Sequence, residues 1–267
     1  MNRQRYCVLG APRSGSQYAT GLISATLGNC LNLGEPFTND QISFPAHHMV
    51  RNMPGSDILT SALVVPDPPN PILTKMLSSI EDRVNYVLYE LALMKDPYST
   101  QDLVIKLFPF DYLDDSYDRI ISVLDECGFK FIFLKRKNIE RQILSACLSL
   151  TSDKWGYTIK DQTTPIEIPI YIIKQIPSWF KHLKDVYSKA SQIPGIETIY
   201  YETVEADLQR VLGRPLVLPN KLPSREDSDE IGQFITNIDE IKQTIKNCIA
   251  TEVVNRKITE EIFKTNE

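Results

Sequence analysis

The sequence predicts an α/β fold in which helices flank a central, mostly parallel sheet within a single domain. Short apolar runs at 7–9, 103–108 and 131–134 alternate with segments of helical periodicity, as strands and helices alternate in parallel sheets. Phe131–Leu134 is apolar throughout, which is typical of a strand buried on both faces. Because ligands of such sheets bind beyond the carboxyl ends of the strands, we expect function in the residues that follow them.

The remaining elements follow from local patterns. Tyr18, Leu22 and Leu27 recur at helical spacing, whereas Gly128 and Gly213 suit the left-handed position that ends a helix. The proline-rich stretch 38–72 disfavours long regular elements. In chain order we predict strands at 7–9, 103–108, 131–134 and 196–201. We predict helices at 17–27, 72–94 (one long helix or two), 114–127, 138–151, after Pro177, 204–212 and about 238–263.

Composition excludes several classes of protein. The 267 residues suit a single domain, 1–267, and the net charge of −5 argues against a bulk nucleic-acid binder. No apolar run approaches the roughly 20 residues of a membrane span, so we expect no membrane partner. Five cysteines without a CxxC pair indicate reduced thiols in a cytoplasmic compartment and offer no metal site. Oligomeric state is not readable from the sequence.

The loop after the first strand has the spacing of a phosphate-binding loop, so we expect the sheet to resemble that of phosphate-binding-loop nucleoside triphosphate hydrolases. Gly10 and Gly15 stand in a GxxxxG pattern, and backbone N–H groups at such a turn bind anions. An ordinary nucleoside triphosphatase would continue with Lys and Ser/Thr, but Ser16 and Gln17 follow here and Arg13 lies inside the loop. The alternative is a plain strand–helix turn.

Pro12–Gln17 resembles the 5′-phosphosulfate loop of sulfotransferases that use 3′-phosphoadenosine 5′-phosphosulfate (PAPS). The resemblance implies that Arg13 supports charge on the bridging oxygen and that the loop binds the donor without a metal. The donor-binding residues would be Arg13, Ser14, Gly15, Ser16 and Gln17.

The basic segment after the strand 131–134 resembles the 3′-phosphate motif of the same family, which pairs an Arg with a Ser eight residues later. Lys137 stands eight residues before Ser145, but the planar guanidinium of Arg136 suits a phosphate better. Both residues remain candidates, with Arg136 favoured. The alternative is a solvated basic helix start, although Lys and Arg at a helix N-terminus oppose the helix dipole.

Glu35 is the candidate general base. Gly34–Phe37 resembles the Gly-Glu-aromatic segment of bacterial and carbohydrate sulfotransferases, in which a carboxylate deprotonates the acceptor hydroxyl. A loop carboxylate bonded to backbone is the alternative for Glu35, and His47 and His48 are rival bases.

Two further matches are weaker. Lys106, inside an apolar strand, resembles a lysine that the family places near the reacting group, or else faces out of the sheet edge. Tyr200-Tyr201-Glu202 resembles a late strand end of the family, which we interpret as structural.

The resemblance implies transfer of a sulfuryl group from PAPS to a hydroxyl of a carbohydrate or other small polar acceptor, with adenosine 3′,5′-bisphosphate as product. Segments 38–100 and 220–267 would form the acceptor site and a lid or C-terminal helical element. A bacterial or phage origin fits a cytoplasmic enzyme better than a Golgi one. A nucleotide-dependent kinase on the same fold and a catalytically degenerate nucleotide- or partner-binding protein are the alternatives.

Overall fold

The structure is a computed structural model, and it describes residues 3–32, 34, 102–108, 115–151, 164–218 and 231–264. Glu35, His47, His48 and the predicted helix 72–94 lie outside the described residues. The strands are β1 Arg5–Gly10, β2 Cys30–Asn32, β3 Asp102–Leu107, β4 Lys130–Lys135 and β5 Glu197–Tyr200. The helices are α1 Ser16–Leu27, α2 Asp115–Glu126, α3 Ile139–Thr151, α4 Ile170–Ile173, α5 Ile176–Ser191, α6 Val204–Leu212 and α7 Ile238–Lys264, with 3₁₀ turns at Tyr201–Thr203 and Ile231–Phe234.

The five strands of the described part form one parallel sheet in the order β2-β3-β1-β4-β5. This confirms the predicted fold class. The chain leaves β1 toward β2 on one side of the sheet and leaves β4 toward β5 on the other side. The carboxyl ends of β1 and β4 therefore flank a topological switch point, where ligands of parallel sheets bind. Gly10 pairs with Leu134 at the end of this strand pair.

Both faces of the sheet are covered by helices, as the continuous apolar strands predict. On one face, Cys7, Ile105 and Phe133 pack against α2 and the C-terminal part of α5. On the other face, Val8 and Ile132 pack against α1 and α6. Because side chains alternate along a strand, the even-numbered residues of β1, β3 and β4 face α1, and the odd-numbered residues face α2.

The chain divides into two compact units, each built from two separate stretches of sequence. The first comprises Met1–Lys137 and Val186–Pro223 and contains the sheet. The second comprises Asn138–Asp185 and Ser224–Glu267, and its own apolar core draws on α3, α4, the start of α5 and α7. That the two units form a single domain stays a prediction.

Two local features refine the predicted elements. The helix predicted after Pro177 begins at Ile176, so the proline lies in the first turn, where its missing N–H leaves no intrahelical bond unmade. β2 is an edge strand of three residues, too short to show a hydrophobic period. Within the described ranges, no helix is long and apolar enough to cross a membrane.

Candidate anion-binding site

The loop after β1 presents the N-terminus of α1 at the switch point. The Ser14 N–H donates to the Ala11 carbonyl oxygen at 3.1 Å, which closes the turn. Arg13 adopts a left-handed backbone with φ 62°, and Gly15 follows with φ 91°. Gly15 is the N-cap and provides no side-chain cap, and no acidic residue lies in the first turn of α1. The positive end of the helix dipole is therefore not neutralised by a side chain.

The hydroxyl of Ser14 is buried inside this loop. Its Oγ atom has no hydrogen-bond partner among the described residues, and the residue is 1 % exposed. A Cβ atom on Gly10 would stand 2.6 Å from this oxygen, so a larger residue there would displace the hydroxyl. Buried hydroxyls are almost always paired, and an orphaned one beside an uncapped helix N-terminus fits a bound phosphate- or sulfate-sized anion.

The other predicted loop residues differ in exposure. Ser16 is buried and Gln17 is exposed, although both belong to the first turn of α1. Their backbone N–H groups lie at the same helix end, and a role of Gln17 in anion binding stays a prediction. The loop thus brings Arg13, Ser14, Gly15, Ser16 and Gln17 together, as the motif predicts for one continuous turn.

Arg136, directly after β4, joins the loop from the neighbouring strand. Its Nη1 atom donates to the carbonyl oxygen of Arg13 at 3.2 Å. Its guanidinium lies over the Tyr201 ring, 4.6 Å from the centroid, and the residue is buried. The two loops predicted to bind phosphate groups therefore meet through Arg136.

The two lysines beside Arg136 have different surroundings. Lys137 is exposed, its N–H donates to Glu202 Oε2 at 3.0 Å, and its Nζ lies 5.0 Å from the centroid of the Tyr200 ring. Lys135 faces the opposite side of the sheet, where its Nζ lies near the Phe133 ring, 4.9 Å from the centroid. Burial lowers the pKa of Lys135. Arg136 is thus the member of the basic segment that contacts the loop, while the choice between Arg136 and Lys137 as phosphate ligand stays a prediction.

The sequence predicts only a structural role for Tyr201, yet its ring contacts both loops. A Cβ atom on Gly15 would overlap the ring, so Tyr201 packs directly against the N-cap. Tyr18 meets the ring edge to face at 6.4 Å between centroids, and the Tyr18 hydroxyl donates to Glu205 Oε1 at 2.7 Å. The available signal was a Tyr-Glu pair at the carboxyl end of a strand beside β4.

Lys106 lies on β3, paired in register with Val8 of β1. It is 9 % exposed and, by strand alternation, lies on the α1 face of the sheet. Its Nζ lies 5.6 Å from the centroid of the Phe108 ring, and its backbone N–H donates to the Gly34 carbonyl oxygen at 2.6 Å. Gly34, the residue before the candidate base Glu35, is therefore hydrogen-bonded to β3, the strand that carries Lys106.

Ser145 lies in the second unit, on α3, where it is buried. The start of α3 has its own cap, because Asn138 Oδ1 accepts the N–H of Arg141 at 3.0 Å. Glu140 lies in the first turn. The N-terminus of α3 is thus capped and has an acidic residue in its first turn, and a shared phosphate between Ser145 and the basic segment stays a prediction.

Fold and site together define an α/β protein with a parallel sheet and a candidate anion-binding loop at its switch point. The described residues contain no cluster of three or more His, Cys, Asp or Glu side chains that could hold a metal ion. The sequence matches no protein-family model and no curated protein.

Several solved structures are similar in fold. A tunicamycin resistance protein of Deinococcus radiodurans is 11% identical over 82% of this chain and 100% of its own, with a TM-score of 0.40. A structure of the PezAT toxin–antitoxin system of Streptococcus pneumoniae is 13% identical over 94% and 88%, with a TM-score of 0.38. A sulfotransferase domain from the curacin biosynthetic pathway is 16% identical over 87% and 77%, with a TM-score of 0.40.

Proposed function

We propose that this protein is a sulfotransferase that moves a sulfuryl group from PAPS to a hydroxyl of a carbohydrate or other small polar acceptor. The observation that carries the proposal is the buried, orphaned Ser14 hydroxyl in a loop that contains Arg13 and lacks the motif lysine. Ser16 and Gln17 replace the Lys and Ser/Thr that a magnesium–triphosphate site needs. The loop suits a 5′-phosphosulfate group, which carries less charge than a triphosphate chain.

The donor-side residues stabilise charge. When bound, PAPS supplies the sulfuryl group, and the bridging oxygen of the leaving nucleotide gains negative charge during transfer. Arg13 and the N–H groups of the first turn of α1 would hold that oxygen, since charge-assisted donors act most strongly where charge develops. Arg136 or Lys137, with Ser145, would hold the 3′-phosphate.

On the acceptor side, the proposed reaction requires a general base that deprotonates the acceptor hydroxyl. Glu35 would take the proton from the acceptor hydroxyl, which makes the oxygen a competent nucleophile. Lys106 would add positive charge on the α1 face of the sheet, near the strand that precedes the loop. Segments 38–100 and 220–267 would form the acceptor pocket and a lid within one domain.

The proposal is tested by thermal shift with adenosine 3′,5′-bisphosphate and, separately, with ATP and magnesium. At a hundredfold excess over Kd, the bisphosphate should stabilise the protein by about 2.7 kcal/mol, which is a rise of several degrees in Tm for a chain of this size. Arg13→Ala should lose the shift. Arg119→Ala, an exposed residue on α2 across the sheet, is the matched control and should keep it.

Two outcomes would overturn the proposal. Stabilisation by ATP and magnesium alone would indicate a nucleotide-dependent kinase, and no response to either ligand would indicate a degenerate protein. Release of adenosine 3′,5′-bisphosphate from PAPS, followed across a panel of sugar and small-alcohol acceptors, then identifies the acceptor class.

A further inference from the structure

Arg13 has an unusual backbone that needs support from elsewhere in the fold. It is the only non-glycine residue with positive φ in the described part of the chain. An L-residue in the left-handed region is strained, and such strain persists only where surrounding contacts hold it. Its carbonyl oxygen accepts a 3.2 Å hydrogen bond from Arg136 Nη1. This hydrogen bond couples the loop conformation to the position of the Arg136 guanidinium.

The Tyr201 ring lies beneath that guanidinium. The centroid is 4.6 Å from Arg136 Cζ, within the range of a cation–π contact, and such contacts strengthen when water is excluded. The ring also packs against Gly15, which is two residues after Arg13. One aromatic side chain thus supports the loop directly and through Arg136.

The ring is itself held from the α1–α6 side. Tyr18 meets it edge to face with an interplanar angle of 72°, and the Tyr18 hydroxyl donates to Glu205 on α6. Tyr201 is 9 % exposed, so it is positioned to act through Arg136 and the loop instead of touching a ligand.

We propose that Tyr201 is a positioning residue of the anion site: its ring holds the Arg136 guanidinium against the Arg13 carbonyl and keeps the loop in its left-handed, anion-binding conformation. The proposal rests on the proposed function only for the identity of the ligand. The conformation of the free loop is independent of it, so the two can be tested apart.

The variants are Tyr201→Leu, Tyr201→Phe and Arg136→Lys. Leucine removes the aromatic face, phenylalanine keeps it, and lysine keeps the charge of Arg136 but loses its planar fork. Tyr6→Leu is the matched control, because Tyr6 is a buried tyrosine of the same core face with Lys130 Nζ 5.9 Å from its ring centroid, but it lies near the amino end of β1.

The first measurement is hydrogen exchange of the amides of residues 11–17 without ligand, normalised to the global stability of each variant. Tyr201→Leu and Arg136→Lys should speed exchange in this loop, whereas Tyr201→Phe and Tyr6→Leu should leave it unchanged. If Tyr201→Leu does not fold, the exchange rate of the loop in Arg136→Lys decides this measurement.

The second measurement is the Kd for adenosine 3′,5′-bisphosphate. We expect about tenfold weaker binding for Tyr201→Leu, the size of one cation–π contact, with recovery to within about twofold for Tyr201→Phe. The proposal would be overturned if Tyr201→Leu matched Tyr6→Leu in loop exchange and in affinity. It would also be overturned if Tyr201→Phe did not restore the exchange rate and affinity of the wild type. If the wild type binds no bisphosphate, the proposed function fails, while the exchange measurement still decides the role of Tyr201.

Discussion

Substituting alanine for Gly15 would place two separate penalties on the loop. The first is conformational, because φ at this position is 91° and an L-residue in a left-handed backbone costs about 1–2 kcal/mol. The second is steric, because the new Cβ would overlap the Cδ2–Cε2 edge of the Tyr201 ring. Forcing an extra methyl group into a packed site costs roughly 1–3 kcal/mol. The expected loss in unfolding free energy is therefore about 2–5 kcal/mol.

The assay is urea unfolding of the wild type and of matched glycine variants. Gly213→Ala is the control: φ is 64° there, and an added Cβ would meet nothing within 4 Å, so only the conformational penalty applies. We expect Gly213→Ala to cost about 1 kcal/mol and Gly15→Ala clearly more. The difference between the two variants measures the contact between Gly15 and Tyr201.

A double variant completes the test. In a Tyr201→Leu background the ring is gone, so the added cost of Gly15→Ala should fall toward that of Gly213→Ala. If Gly15→Ala costs no more than Gly213→Ala in the wild type, the ring does not press on the N-cap. That result would refute the argument that this aromatic side chain supports the loop.

Three further predictions address the base, a part-buried hydrogen bond and a buried thiol. Glu35→Gln should lower turnover by roughly 10²–10⁴-fold with unchanged affinity for adenosine 3′,5′-bisphosphate; unchanged turnover would assign the proton elsewhere. Tyr18→Phe removes the 2.7 Å bond to Glu205 and should cost about 1 kcal/mol in urea unfolding, and an unaltered midpoint would contradict this. Burial raises the pKa of Cys147 from 9.0 to about 12. Between these two pH values the thiol is ionised in the unfolded state but protonated in the folded state, so the free energy of unfolding falls by about 1.4 kcal/mol per pH unit as pH rises. Cys147→Ala should remove that contribution from the measured slope, and equal slopes would disprove it.

Local sequence patterns predicted most of the described secondary structure. The predicted helix 204–212 has the bounds of α6, and Gly213 ends it in a left-handed conformation, as proposed for its type. β3 and β4 fall on the apolar runs. These features depend on interactions between residues close in sequence, namely helical periodicity, caps and burial of continuous apolar strands, and such interactions leave a local record.

The candidate site was predictable where it is one continuous turn. Arg13 to Gln17 follow a strand and begin a helix, so their proximity required no knowledge of the rest of the chain. The choice between neighbouring basic residues was not predictable in the same way. Side chains alternate at the end of β4, and one residue more or less in the turn decides whether Arg136 or Lys137 reaches the loop.

The sequence alone determined the class of fold, the loop after β1 and the basic segment after β4. The tertiary structure decided that these two segments meet, because β4 pairs with β1 in parallel register. It also decided that Tyr201, far along the chain, packs against Gly15 and lies under Arg136. The physical reason is that such contacts depend on strand order and register, which are set by the packing of the whole sheet and leave no local pattern in the chain.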